Sequence, residues 1–130
     1  MPTANDALIH DMLDSIDATF NSGTLTIRTG SAPGAGSAAT GTVLATLTLP
    51  VDAFNAAATR QKTITASFQD TSADATGTAG HWRLVNSGGT RVLEGSVGVG
   101  TGELQLSTLS IIAGGTVTVT AFTLGFSTTA

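Results

Sequence analysis

The sequence predicts a mainly β chain: an antiparallel β-sandwich or jelly roll with one N-terminal amphipathic α-helix. Three observations point there. Apolar residues recur with a helical period only near the N-terminus. After Gly23 they alternate instead, in about eight short runs bounded by turn-forming residues. Thr, Ala, Gly and Ser fill 70 of the 130 positions, a composition of strand surfaces and turns rather than of helix packing. One domain is expected, 1–130, with the helix in 1–22 and the sandwich in 23–130.

In the helix, Ile9, Leu13, Ile16 and Phe20 recur at spacings of four, three and four, which is one face of a 3.6-residue period. Leu8 and Met12 widen that stripe, and Asp6, His10, Asp14 and Asp17 fall on another face. Thr3 or Asn5 supplies the cap, and Asp6 suits the positive end of the dipole. Gly23 is placed to close the end in a left-handed conformation, so the helix should run from about Asn5 to Asn21.

The strands follow. Leu25 and Ile27 share one face, with Thr24, Thr26 and Arg28 on the other. The segment 31–41 is small and apolar-poor and reads as a long loop. Val43, Ala45, Leu47 and Leu49 then point inward, and Pro50 ends that strand or marks it as an edge. A short strand around Phe54 precedes a run aligning Ile64, Ala66 and Phe68, and 69–80 is a second polar loop.

Gly88-Gly89 lies between two alternating runs and signals a hairpin. A two-residue loop would pair Ser87 with Thr90. Leu84 then faces Leu93, Arg83 faces Glu94, and Trp82 faces Gly95: apolar against apolar, opposite charges together, a large ring over a glycine. A slip of one residue would set Arg83 against Leu93. Two short strands are expected at Leu104–Leu106 and near Ile111. In the last run Val117 and Val119 share one parity, and Phe122, Leu124 and Phe126 the other. The inward face therefore switches near Ala121, through a bulge or a strand that passes between sheets. The expected core is Leu25, Ile27, Leu47, Leu49, Ile64, Trp82, Leu84, Leu93, Val117 and Val119.

Composition narrows the function. There is no cysteine, hence no disulfide, thiol nucleophile or Cys-based zinc site. Five basic residues in a chain of net charge −4 argue against a nucleic-acid partner. No apolar stretch is long enough to span a membrane, and "MPTANDALIH" is no secretory signal, so synthesis in a cytoplasm is expected. A chain this short buries roughly two thirds of its unfolded surface, and small residues shrink the core further. Support from neighbouring copies, a homo-oligomer or a larger assembly, is therefore expected.

The polar clusters read as structural. Asp6, His10, Asp14 and Asp17 lie along one straight helix face, which supplies too few converging ligands for a metal and suits a solvated surface. Gly98-Val99-Gly100 resembles a phosphate loop, but Glu103 stands where the third glycine belongs and a strand follows, so it reads as a turn. Asp70 and Asp74 share a loop without the full calcium pattern. Carbohydrate binding would need aromatic platforms, and Trp82 is assigned to the interior. His81, Arg83 and Glu94 share the outer hairpin face, as an acid–base cluster, a cross-strand salt pairing, or a subunit contact with Val85 and Val92. No catalytic residue, cofactor or metal ligand is assigned.

As a whole the chain resembles small Ala/Thr/Gly-rich structural proteins of tailed bacteriophages. The resemblance is carried by "GTLTIRTGSAPGAGSAATGTVLATLTL", "GTAGHWRLVNSGGTRVLEGSVG" and "GGTVTVTAFTLGF", behind the amphipathic helix. It implies a virion component, such as a capsid decoration or cement protein made in the host cytoplasm and carried on the capsid surface. Its partners would be the major capsid protein and copies of itself. A tail or baseplate module, in which a host surface can be the target, is the alternative; a small enzyme is a third class. The expected contact residues are His81, Arg83, Val85, Val92 and Glu94 on the hairpin, the loop from Ser31 to Thr40, and Ile9, Leu13, Ile16 and Phe20 of the helix.

Overall fold

A computed structural model describes residues 5–20, 22–49, 54–58, 61–64 and 68–125, with Asp17 described in its backbone only. Thr3, Asn21, Pro50, Ala66 and Phe126 lie outside the described residues.

The helix α1 spans Asp6–Phe20. Asn5 is its cap: the side-chain oxygen accepts from Leu8 N at 3.0 Å, and the backbone oxygen accepts from Ile9 N at 3.1 Å. Ile9, Leu13 and Phe20 are buried and Ile16 is half-buried. Leu8 and Met12 are exposed, because each sits one residue, about 100° of helical turn, away from the buried stripe. The left-handed residue at the helix end is Ser22, with φ 59°, and not Gly23. Gly23 N instead donates to Phe20 O at 2.8 Å.

Ten strands follow: β1 (Thr24–Arg28), β2 (Val43–Thr48), β3 (Gln61–Thr63), β4 (Phe68–Asp70), β5 (Gly77–Thr78), β6 (His81–Val85), β7 (Val92–Gly98), β8 (Leu104–Leu106), β9 (Ser110–Ile111) and β10 (Val117–Gly125). Eight form one sheet in the order β2-β1-β6-β7-β8-β10-β3, with β4 also paired to β10; β5 and β9 form a separate pair. The sheet curls, bringing β2 against β4. It is mixed, not antiparallel throughout: β7 and β8 run parallel, Val97 beside Leu104. Only 99–103 connect them. Gly100 (φ 72°) and Gly102 (φ 84°) allow the double reversal that so short a parallel connection needs.

The hairpin β6–β7 has the expected register, with Trp82 opposite Gly95, Arg83 opposite Glu94 and Leu84 opposite Leu93. Its turn is wider than expected. Asn86 N donates to Arg91 O at 3.1 Å, and the Asn86 side-chain oxygen accepts from Thr90 N and Arg91 N, leaving 87–90 as a four-residue loop. The face switch in β10 is a bulge: the register against β8 shifts between Val119 and Ala121. Thr120 is the extra residue, and its hydroxyl donates to Gln105 O at 3.1 Å.

A second bulge lies in β2, where Ile27 pairs with Ala45 but Arg28 pairs with Val43. Leu44 is skipped and turns into the core together with Ala45, which strict alternation does not predict. The open edge of β2 is then closed by a loop. Asp74 N donates to Leu44 O at 2.8 Å, Thr46 N donates to the Asp70 carboxylate at 3.0 Å, and the Thr46 hydroxyl donates to Asp74 at 2.7 Å.

Inside, Trp82 meets Phe122 edge-on with ring centres 4.8 Å apart, and Phe54 lies 5.7 Å from the same Phe122. Of the expected core, Ile64 and Leu93 are only partly buried and pack on its margin; the other eight are buried.

Candidate functional site

The outer face of the β6–β7 hairpin, expected to contact a neighbouring subunit, is covered within the chain. His81 and Arg83 are buried, and the Glu94 side chain is only 4% exposed. Their cover is the segment 30–41, which crosses over them as a strap. Thr29 and Thr42 clasp its base: Thr29 N donates to Thr42 O at 3.1 Å, and Thr42 N donates to the Thr29 hydroxyl at 2.9 Å. Arg83 Nη1 lies 2.5 Å from Glu94 Oε2, and Arg83 Nη2 donates to Ser37 O at 2.8 Å. Gly34 N donates to Glu94 Oε1 at 2.9 Å. Two ionised side chains thus satisfy each other and also hold backbone groups of the strap, the arrangement a buried ion pair needs.

His81 adds another tie. Its Nδ1 lies 2.9 Å from Gly30 O. A carbonyl only accepts, so Nδ1 is the donor. Nε2 is buried without a hydrogen-bond partner. The two elements expected to contact a neighbour, the hairpin face and the loop from Ser31 to Thr40, therefore contact each other. Val85 and Val92, at the turn end of the hairpin, are half-buried.

The other polar clusters are also structural ties. Lys62, fully buried, points its ammonium at Asp14 on α1, 2.7 Å away. The same carboxylate oxygen accepts from Ala57 N at 2.8 Å. The Lys62 hydrogen bond first, and the Ala57 N–H second, hold the Asp14 carboxyl below its ordinary range. Burial works to raise the Glu103 carboxyl, but bonds from the Ser96 hydroxyl and Ser96 N outweigh it and hold it low. Glu103 thereby fastens the glycine loop back to β7. Asp70 and Asp74 accept hydrogen bonds from Thr46 on the β2 edge. No cluster of three or more potential metal ligands occurs among the described residues.

Sequence reasoning did not single out the exposed apolar turns or the cleft. Leu8, Met12, Val99 and Ile112 are exposed at a helix face and at two turns. A cleft of about 140 Å³ lies between the segments 107–112 and 115–118, lined by hydroxyl and aliphatic side chains without a charged group. Ile112 is one of its lining residues. Only the absence of a periodic partner hints at Val99 and Ile112 in the sequence. The chain matches no protein-family model, no curated protein and no solved structure.

Proposed function

We propose that this chain is a non-enzymatic structural protein of a tailed-phage virion, a capsid decoration protein. It binds the outside of the head, contacts the major capsid protein and copies of itself, and steadies neighbouring capsomers. In this reading the curled sheet works as a sandwich-like shell that presents turns and one helix face to its neighbours.

The observation that carries the proposal is how the side chains are used. Arg83, Glu94, Lys62, Asp14, Asp70, Asp74 and Glu103 are engaged in ties within the chain. Apolar side chains meanwhile stand exposed at separate places, which suits contact with several neighbours. The resemblance of the sequence to Ala/Thr/Gly-rich phage structural proteins supports the same reading. Repetition over a symmetric shell makes weak contacts of this kind cumulative.

The test is retention on purified capsids over a salt series, with purified tails as the control and copy number per virion counted alongside. Retention on heads that changes little with salt, at a copy number scaling with the capsomers, is expected. Steep release at moderate salt would remove the apolar-contact reading. Binding to tails alone would replace the decoration role with a tail or baseplate role.

A further inference from the structure

The strand β7 lacks a neighbour along half of one side. From Val92 to Ser96 it pairs with β6, but β8 joins its other side only at Val97 and Gly98. The phase of the ladder decides which groups this leaves bare. Asn86 N donates to Arg91 O, so the backbone groups of Leu93 and Gly95 turn toward β6, and those of Val92, Glu94 and Ser96 turn away. Ser96 agrees with this phase: its N–H meets the Glu103 carboxylate at 3.2 Å on the far side. Val92 and Glu94 have no strand on that side among the described residues. β7 is accordingly half-buried from Val92 to Gly95, while β6 is buried from His81 to Leu84.

The two ends of the sheet are shut by contrast. The loop that carries Asp70 and Asp74 closes β2, and bridges from Phe54 to Ile64 and from Ala58 to Gln61 cover β3. A row of donors and acceptors on alternate residues is matched by an extended backbone, so the occupant is a strand. The 87–90 loop at one end and Glu103 at the other confine it to the stretch opposite Val92–Gly95. Charge narrows it further. Among the described basic residues, Lys62 and Arg83 are buried, and Arg28 is half-buried with its guanidinium on Thr26 and Thr40. Arg91 is exposed, at the mouth of the bare row. A chain of net charge −4 is a poor partner for itself, so the strand comes from another protein. We propose that the bare half of β7 takes an extended segment of a partner protein as an added strand, with an acidic residue of that segment beside Arg91. This contact does not rest on head binding and is tested without capsids.

The experiment is amide hydrogen exchange of the full chain, free and with the pentapeptide acetyl-EVTVE-amide at millimolar concentration. A glutamate at each end brings a carboxylate to Arg91 in either strand direction. In the free chain the Val92 and Glu94 amides should exchange about tenfold or more faster than those of Leu93 and Gly95. The peptide should slow them. The same peptide N-methylated at both valines should not, and acetyl-KVTVK-amide should bind roughly fivefold more weakly. Val92→Pro removes an outward N–H at the first residue of a strand, where proline is tolerated, so it should abolish binding and keep the melting temperature. Val92 and Glu94 amides already protected in the free chain would overturn the proposal, as would acetyl-EVTVE-amide giving no protection. Binding that survives N-methylation would overturn it too. Protection that grows with protein concentration alone would assign the edge to a second copy and overturn the partner named here.

Discussion

The indole of Trp82 rests on the backbone of Gly95, its cross-strand partner. A Cβ added at Gly95 would fall 2.7 Å from both Cζ2 and Nε1 of the ring. The ring cannot retreat, since Phe122 packs against it within the core. Gly95→Ala is therefore an overpacking change, expected to cost about 1–3 kcal/mol. Urea unfolding followed by Trp82 fluorescence measures it, and an unchanged midpoint would show that the ring has room to move.

The hairpin contains its own comparison. Leu84 is fully buried and Leu93, opposite it, is only partly so. Leu84→Ala should cost about 2–5 kcal/mol and Leu93→Ala distinctly less. Equal losses in chemical denaturation would contradict the difference in burial between the two.

Removing the Glu94 charge leaves the Arg83 guanidinium buried beside a strap that has lost one anchor. Glu94→Gln should destabilise by about 3–5 kcal/mol, and the pair replacement Arg83→Met with Glu94→Leu should recover much of that. Amide exchange in 30–41 should rise in Glu94→Gln. A strap that stays protected would mean that the Thr29–Thr42 clasp alone holds it.

The Asp14 carboxyl titrates below its ordinary value of 3.8 in the folded chain. A lowered folded value means stabilisation that is complete above 3.8 and lost as pH falls through that value toward the folded one. Asp14→Asn should therefore melt below the wild type at neutral pH, and the gap should close on acidification through this window. A gap that stays constant with pH would remove the charge from the explanation.

Ser22 holds a left-handed backbone that costs an L-residue about 1–2 kcal/mol. Ser22→Gly should raise stability by roughly 1 kcal/mol, less what glycine adds to unfolded-chain entropy. A lower melting temperature would show that the Ser22 side chain compensates for its backbone.

What could be read from the sequence was local. The hairpin register followed from pairing Arg83 with Glu94 and Trp82 with Gly95, and the change of parity near Ala121 left a bulge or a passage between sheets, of which the structure has the bulge. The Asn5 cap lay next to the stripe it begins. What escaped depends on contacts distant in the chain that follow no period. Gly34 meets Glu94 across sixty positions, and Asp70 meets Thr46 across 24. A loop of small residues carries no pattern that says which face it will cover, so His81 and Arg83 read as surface. Leu44 escaped because a bulge sends two successive residues the same way. The parallel β7–β8 pair escaped because glycines permit a reversal without dictating where the chain goes next.

The carboxylates on the edge of β2 have a consequence for how closely such molecules can be packed. Thr46 N and Leu44 O are already bonded within the chain, so a strand from another molecule finds those positions occupied. A Thr-rich β protein with so few charges is otherwise prone to grow into fibrils by adding strands at an edge. Asp70 and Asp74 make this edge a dead end. Molecules of this chain crowded together cannot extend the sheet by pairing a strand at Leu44 and Thr46.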